Sequence, residues 1–113
     1  MEQVVLEVEP RPTMEGISRY YRIGNGSVWA DQTGFRRKDN AWHIMYHQTM
    51  AISGVAYAKP DPNSMLVAIN RKEDASWDTI HPAVVEMFRF LMRDLGVTSE
   101  VVVEEVPFRN PDF

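Results

Sequence analysis

The sequence predicts an α+β domain with the ferredoxin-like βαββαβ order and a β-hairpin inserted after the first strand. Three observations lead to this prediction. Valine-rich segments stand near both ends of the chain, and a well-marked amphipathic helix precedes the second of them. An Asn-Gly pair between segments rich in aromatic and β-branched residues indicates the inserted hairpin.

Composition is that of a globular protein. The chain has 113 residues, of which 44% are hydrophobic and 25% charged, and we predict one α+β domain over residues 1–113. No apolar run approaches the roughly 18 residues that span a bilayer, and the N-terminal MEQVVLEVEP lacks the features of a signal peptide. The absence of cysteine excludes a disulfide scaffold and thiol chemistry. We therefore expect a cytoplasmic protein with no membrane partner.

The first part of the chain is predicted to form a strand followed by the hairpin. QVVLEVE at residues 3–9 is rich in β-branched residues and stops at Pro10, which is typical of a strand. Asn25-Gly26 favours a tight turn because both of its central positions prefer φ > 0. We therefore expect hairpin strands near residues 17–23 and 27–31.

Residues 41–53 fit both a helix and a strand. Asp39 or Asn40 is a suitable N-cap and Gly54 a suitable stop, and helical spacing places His43 and His47 on the polar side. Alternation of apolar residues fits a strand almost as well. We favour the helix because its two end signals agree. A strand here would give the alternative fold, a curved antiparallel sheet packed on one long helix, residues 77–95.

The second half has clearer signals. Segments 55–59 and 65–70 flank a Pro/Asn-rich connection and predict a hairpin. An amphipathic pattern predicts a helix that begins at Ser76 or Asp78, runs to Leu95 and ends at Gly96. Finally, SEVVVEEV at 99–106 predicts a strand buried on both faces, and 107–113 should form an irregular C-terminal tail.

A group of arginine and aromatic residues is the candidate binding surface. These residue types are enriched where proteins contact one another, and the group lies in and after the predicted hairpin. The candidate interface consists of Arg19, Tyr20, Arg22, Trp29, Phe35, Arg36 and Arg37.

The histidines are candidate metal ligands. On a helix, His43 and His47 would share one stripe, and His81 is the remaining histidine of the chain. A zinc site needs at least a third ligand, and the H-x-x-x-H spacing here lacks the Glu of the metalloprotease motif. Surface histidines are the simpler interpretation, and the sequence indicates no cofactor.

These observations favour a small binding or regulatory domain rather than an enzyme. We expect it to act through protein–protein contacts, by self-association or with a protein partner. The first alternative is a small enzyme or ligand-binding domain that uses His43 or His47 as a general base or metal ligand. The second is a weak nucleic-acid binder through residues 19–38, although the net charge of −4 argues against a nucleic-acid partner. No motif is specific enough to indicate a family.

Overall fold

The computed structural model describes residues 3–12 and 16–108. It is an α+β structure with a mixed five-stranded sheet and three helices. No helix in these two ranges is long and apolar enough to cross a membrane. In chain order the elements are β1 (Val4–Pro10), β2 (Ser18–Ile23), α1 (Gly26–Gln32), α2 (Ala41–Met50), β3 (Val55–Asp61), β4 (Leu66–Arg71), α3 (Trp77–Asp94) and β5 (Val101–Glu105), with short 3₁₀ turns at Phe35–Arg37 and Pro62–Ser64.

The strands lie in the order β3-β4-β2-β1-β5. The pairs β1–β2, β2–β4 and β3–β4 are antiparallel, whereas β1 and β5 are parallel. The predicted hairpin of residues 55–70 is thus confirmed as β3 and β4. The central strand is β2, which is bonded on one side to β1 and on the other to β4.

The core lies between α3 and one face of the sheet. Because strand side chains alternate between faces, every second residue of β1, β2 and β4 points toward the helix. The long helix supplies a complementary apolar stripe at helical spacing. The fully or almost fully buried members include Leu6, Val8, Tyr21, Ile23, Val67 and Ile69 from the strands, and Ile80, Val84, Phe88, Leu91 and Met92 from α3.

The ends of α3 confirm the predicted signals. The Ser76 side chain accepts a hydrogen bond from the backbone N–H of Asp78 at 3.1 Å, which satisfies one of the free donors of the first turn. At the other end Gly96 has φ +86°, and the N–H of Val97 donates to the carbonyl of Met92 at 2.9 Å. This left-handed glycine with its backward bond closes the helix.

The segment predicted as a helix over 41–53 forms one over residues 41–50. The helix ends at Met50, before Gly54, and the Asn40 side chain makes no capping hydrogen bond. Ala41, Met45 and Thr49 face the core, and the buried Thr49 hydroxyl donates to the Met45 carbonyl at 2.7 Å. Their spacing of four residues is the helical period, whereas a strand would have turned alternate residues inward.

The predicted hairpin strand at 27–31 is wrong, because this segment lies within α1. Asn25 does adopt the left-handed conformation, with φ 55°, but its carbonyl then accepts the N–H of Trp29 at 3.1 Å and starts a helix. Both sides of β2 are occupied by β1 and β4, so a following strand has no free edge beside it. In addition, a Cβ atom on Gly26 would clash with the backbone of Ser64, so only glycine permits this close approach.

The predicted burial of the last strand on both faces is also wrong. The strand itself is present as β5, but only Val101 within it is buried. Val103 is 38% exposed, and the side chains of Glu104 and Glu105 are exposed. A strand at the edge of a sheet has one neighbour instead of two, so a run of valines there keeps part of its surface in water. Pro107 and Phe108 have no regular structure, and residues 109–113 of the predicted tail lie outside the described ranges.

Two phenylalanines on α3 test the core assignment. Phe88 is 0% exposed and Phe90 is 58% exposed. We expect Phe88→Ala to lower the free energy of unfolding by about 3–5 kcal/mol because it leaves a cavity. The matched control Phe90→Ala should change it by no more than about 0.5 kcal/mol. Urea unfolding followed by circular dichroism measures both, and equal losses would contradict this packing.

Candidate functional site

The residues of the candidate interface do not share one surface. Within β2, Arg19 lies on the same side as the buried Tyr21, whereas Tyr20 and Arg22 lie on the opposite, open side of the sheet. Phe35 is completely buried, and Trp29 packs partly against the core. The seven positions are therefore spread over both sides of the sheet, the core and α1.

On the open face, Arg22 belongs to a charge-paired cluster. Its guanidinium donates to Glu7 at 2.9 Å and to Glu9 at 2.6 Å. Glu9 is 2% exposed and also accepts from Arg11 at 2.7 Å. The Arg11 guanidinium lies 4.2 Å from the centre of the Tyr20 ring. These internal bonds occupy the charges of the cluster and cover part of Tyr20.

The remaining basic residues of the candidate interface bond locally. Arg36 is exposed and donates to the backbone carbonyls of Ser27 and Asn63, at 3.1 and 3.2 Å. Arg37 forms an exposed ion pair with Asp31 at 3.3 Å. Arg36 therefore ties α1 to the turn at Pro62–Ser64.

His43 and His47 lie exposed on one side of α2. Their rings stack with centroids 6.0 Å apart, and beside them the rings of Trp42 and Tyr46 stack at 4.8 Å. His81 lies on α3, where it bonds to Tyr21. Within residues 3–12 and 16–108, no three His, Asp or Glu side chains are grouped so that they could hold a metal ion.

A second polar cluster lies on the core side of the sheet, at the start of α3. The hydroxyl of Tyr21 is 3.0 Å from Nδ1 of His81, and Arg19 donates to the same hydroxyl at 3.5 Å. The Arg19 guanidinium also lies 4.6 Å from the centre of the Trp77 ring. Arg19, Trp77 and His81 border a cleft of about 210 Å³, which Glu105 also lines.

Burial shifts both members of the Tyr21–His81 pair toward their neutral forms. It lowers the pKa of His81 below its usual value, and the positive charge of Arg19 lowers it further. Burial raises the pKa of Tyr21, against a smaller opposing effect of Arg19. In the neutral pair, the hydroxyl of Tyr21 and Nδ1 of His81 share one hydrogen bond, whose donor is set by the tautomer of His81. The bond gives a buried hydroxyl the partner that it needs.

The two edges of the sheet differ in how well they are protected against pairing. The register of β3 with β4 shifts between Val55 and Tyr57, and β3 contains Pro60, which has no N–H to donate. By contrast, β5 pairs with β1 in continuous register over Val101–Glu105 and contains no proline. Natural sheets commonly block exposed edges with bulges and prolines, and only β3 carries these features.

Alternate residues of β5 direct their backbone groups away from the sheet. At its two ends, Val4 N–H donates to the Glu100 carbonyl at 3.1 Å and Val106 N–H donates to the Val8 carbonyl at 2.9 Å. In a parallel ladder, these two bonds mean that the even-numbered residues of β5 direct their N–H and C=O groups toward β1. The N–H and C=O groups of Val101, Val103 and Glu105 therefore point outward, where no described strand meets them.

A shallow cleft of about 490 Å³ lies beside the start of β5. Arg89 and Arg93 of α3 line it, together with Val101 and Glu100. Arg89 is paired with Glu86 at 2.8 Å, whereas no carboxylate of the described residues lies within ion-pair distance of Arg93. The cleft thus places next to the open edge a positive charge that no carboxylate of the described residues pairs with.

The sequence contains little that indicates either the Tyr21–His81 pair or the open edge of β5. Tyr21 and His81 are 60 residues apart, so no local spacing connects them. The valine run of β5 indicated a buried strand, and the signal pointing to an edge was the adjacent pair Glu104-Glu105, which appears in a segment without proline.

Comparison with known proteins identifies no family for the chain. No family model matches it, and no curated protein matches it significantly. Among solved structures, it is similar to the crystal structure of an essential ribosomal processing protease from S. aureus in complex with a covalently linked product peptide. The sequences are 8% identical, the TM-score is 0.35, and the match covers 90% of this chain and 100% of that chain. A likeness at this level does not indicate an activity.

Replacing Arg22 tests the role of the open-face cluster. Arg22→Ala leaves Glu9 buried with one fewer donor, so we expect the free energy of unfolding to fall by about 1–3 kcal/mol. The exposed Lys38→Ala serves as the control and should cost no more than about 0.5 kcal/mol. Chemical denaturation at neutral pH measures both. Equal, small effects would show that the cluster contributes nothing to stability.

The His81 environment predicts a pH dependence with a definite sign. Because the pKa of His81 is lower in the folded than in the unfolded chain, the unfolded chain binds more protons at mildly acidic pH. Its contribution to stability should be complete above a pH of about 6.5, the unperturbed value, and decline as the pH falls toward the folded pKa. We expect His81→Gln to flatten the stability profile between neutral and mildly acidic pH. Parallel stability profiles for the wild type and His81→Gln would contradict a lowered pKa of His81 in the folded chain.

Proposed function

We propose that this protein is a small binding domain that acts through protein–protein contacts, and that it adds a strand of its partner to the edge of β5. The observation that carries this proposal is the contrast between the two edges of the sheet. The β3 edge carries a register shift and Pro60, whereas the β5 edge is regular and carries outward N–H and C=O groups.

Strand addition suits this edge for two reasons. First, extended peptides that join a sheet gain affinity from main-chain hydrogen bonds, and the outward groups of Val101, Val103 and Glu105 provide donors and acceptors for them. Second, Val103 is 38% exposed and gives the added strand an apolar contact. The glutamates at the end of β5 limit unspecific pairing, because charged side chains discourage it.

The aromatic and arginine group of β2 and α1 supports an interface less well. Arg22 is held by Glu7 and Glu9, and Phe35 has no exposed surface. We therefore place the contact at β5 instead.

The two alternative functions have weaker support. For an enzyme or ligand-binding domain, His43 and His47 lie exposed on α2 without a grouped acidic neighbour among the described residues. Nδ1 of His81 is engaged by Tyr21. For nucleic-acid binding, Arg19 and Arg22 lie on opposite sides of the sheet, whereas Arg36 and Arg37 lie in the 3₁₀ turn after α1. Carboxylates also neutralise Arg22 and Arg37.

We also infer that the ferredoxin-like order applies to the chain after β1. If the short helix α1 between β2 and α2 is set aside, the succession β2, α2, β3, β4, α3, β5 has the βαββαβ order. Strand β1 then adds one strand between β2 and β5. In this arrangement β1 separates β5 from the rest of the sheet and leaves β5 at the edge.

A proline at Val103 tests strand addition. Its N–H points outward, so Val103→Pro removes a donor from the free edge without removing a bond to β1. We expect wild-type protein to enrich extended peptides from a displayed random library, and Val103→Pro to lose them by about tenfold or more in affinity. The control Val103→Thr keeps the N–H and a β-branched side chain, and should retain binding.

Thermal unfolding of both variants establishes that the proline leaves the fold intact. Equal enrichment by wild type and a folded Val103→Pro variant would exclude the β5 edge as the binding surface. No peptide enrichment by a wild type that stays monomeric would count against the proposal as well.

A further inference from the structure

We infer that the strand that pairs with β5 is β5 of a second copy of the same chain, in antiparallel orientation and centred on Val103. This inference rests on the proposed function, because it names the partner of the same edge. It follows from the direction of the backbone groups, the positions of the two glutamates and the charge of the neighbouring cleft.

The backbone groups favour a two-fold axis at Val103. Residues that face each other in an antiparallel pair exchange both bonds when their N–H and C=O groups point toward the partner. Val101, Val103 and Glu105 all point outward. With the axis at Val103, this residue bonds to its own copy, and Val101 bonds to Glu105 of the second copy on both sides of the axis. Every outward group of β5 is then used.

The glutamates select the same register. With the axis at Val103, Glu104 faces Val102 of the second copy and Glu105 faces Val101, so no carboxylate lies directly opposite another. Moving the axis by one residue to Glu104 would place the two copies of Glu104 opposite each other, which is destabilising. It would also leave Val101 without a bonding partner.

The cleft beside β5 complements the charge of the arriving strand. Val101 and Glu105 lie on the helix side of the sheet, since they align with the buried Val4 and Val8 of β1. Glu105 of the second copy would therefore enter on the side where Val101, Arg89 and Arg93 line the cleft. Glu100 also lines this cleft, and Arg89 is paired with Glu86, so Arg93 is the guanidinium that receives the carboxylate.

A single cysteine tests the register directly. The chain contains no cysteine, so Val103→Cys introduces its only thiol. Facing residues of a hydrogen-bonded antiparallel pair have Cα atoms about 5.5 Å apart, within the range of about 4.4–6.8 Å that a disulfide spans. We expect mild oxidation to convert Val103→Cys to a covalent dimer. Tyr57→Cys, at an exposed position of the β3 edge, should form no covalent dimer under the same conditions.

A charge exchange tests the orientation. Sedimentation of the wild type should show a concentration-dependent dimer. Glu105→Arg and Arg93→Glu should each raise the dissociation constant by about tenfold, and the double variant should recover most of the loss. Val103→Pro should abolish the dimer and Val103→Thr should retain it.

The results separate this inference from the proposed function. A wild type that stays monomeric, with no cross-link of Val103→Cys above the Tyr57→Cys level, overturns the second copy as partner. If the protein nevertheless selects peptides that Val103→Pro loses, strand addition stands with a different partner. A dimer that persists in Val103→Pro also overturns the inference. So does a double charge variant that recovers none of the lost dimer affinity.

Discussion

The packing of α3 against one face of β1 and β2 is the constraint on which the rest of the structure depends. Strand side chains alternate, so turning Leu6, Val8 and Tyr21 toward this helix forces their neighbours onto the other face. That is why Glu7 and Glu9 meet Arg22 there. The ion pairs of the open face thus follow from the apolar pattern of the core. They neutralise charged side chains on this face, which therefore needs no second layer of helices to cover it.

The same packing accounts for the Tyr21–His81 bond and for the exposure of β5. Tyr21 occupies the core at the level of the first turn of α3, and its hydroxyl would be costly there without a partner. His81 and Arg19 provide that partner, so their arrangement is explained by the needs of the core. On the outer side of β1, the sheet continues by one strand, and most of that strand remains in contact with water.

Local signals were sufficient for the elements whose ends are marked by the sequence. Ser76 and Gly96 bound α3, and the turn residues before β4 separate the strands of the β3–β4 hairpin. The other predictions failed because they depend on which strands pair, and these strands are far apart in the sequence. Whether residues 27–31 become a strand depends on β4 having taken the second side of β2, and whether 101–105 is buried depends on its place in the sheet. The exposed side of α2 that carries His43 and His47 was predictable, but Tyr21 and His81 are brought together only by the fold.

The bulge and proline of β3 limit the size of any assembly that the sheet can form. In the proposed dimer, pairing through β5 would use the edge that is regular among the described residues. Both outer ends of the joined sheet would then be β3 strands, whose bulge and proline disfavour further pairing. Growth by edge-to-edge addition therefore stops after one step, instead of extending into a fibre. In the proposed dimer, a valine-rich edge, usually an aggregation hazard, would become a contact with a fixed stoichiometry.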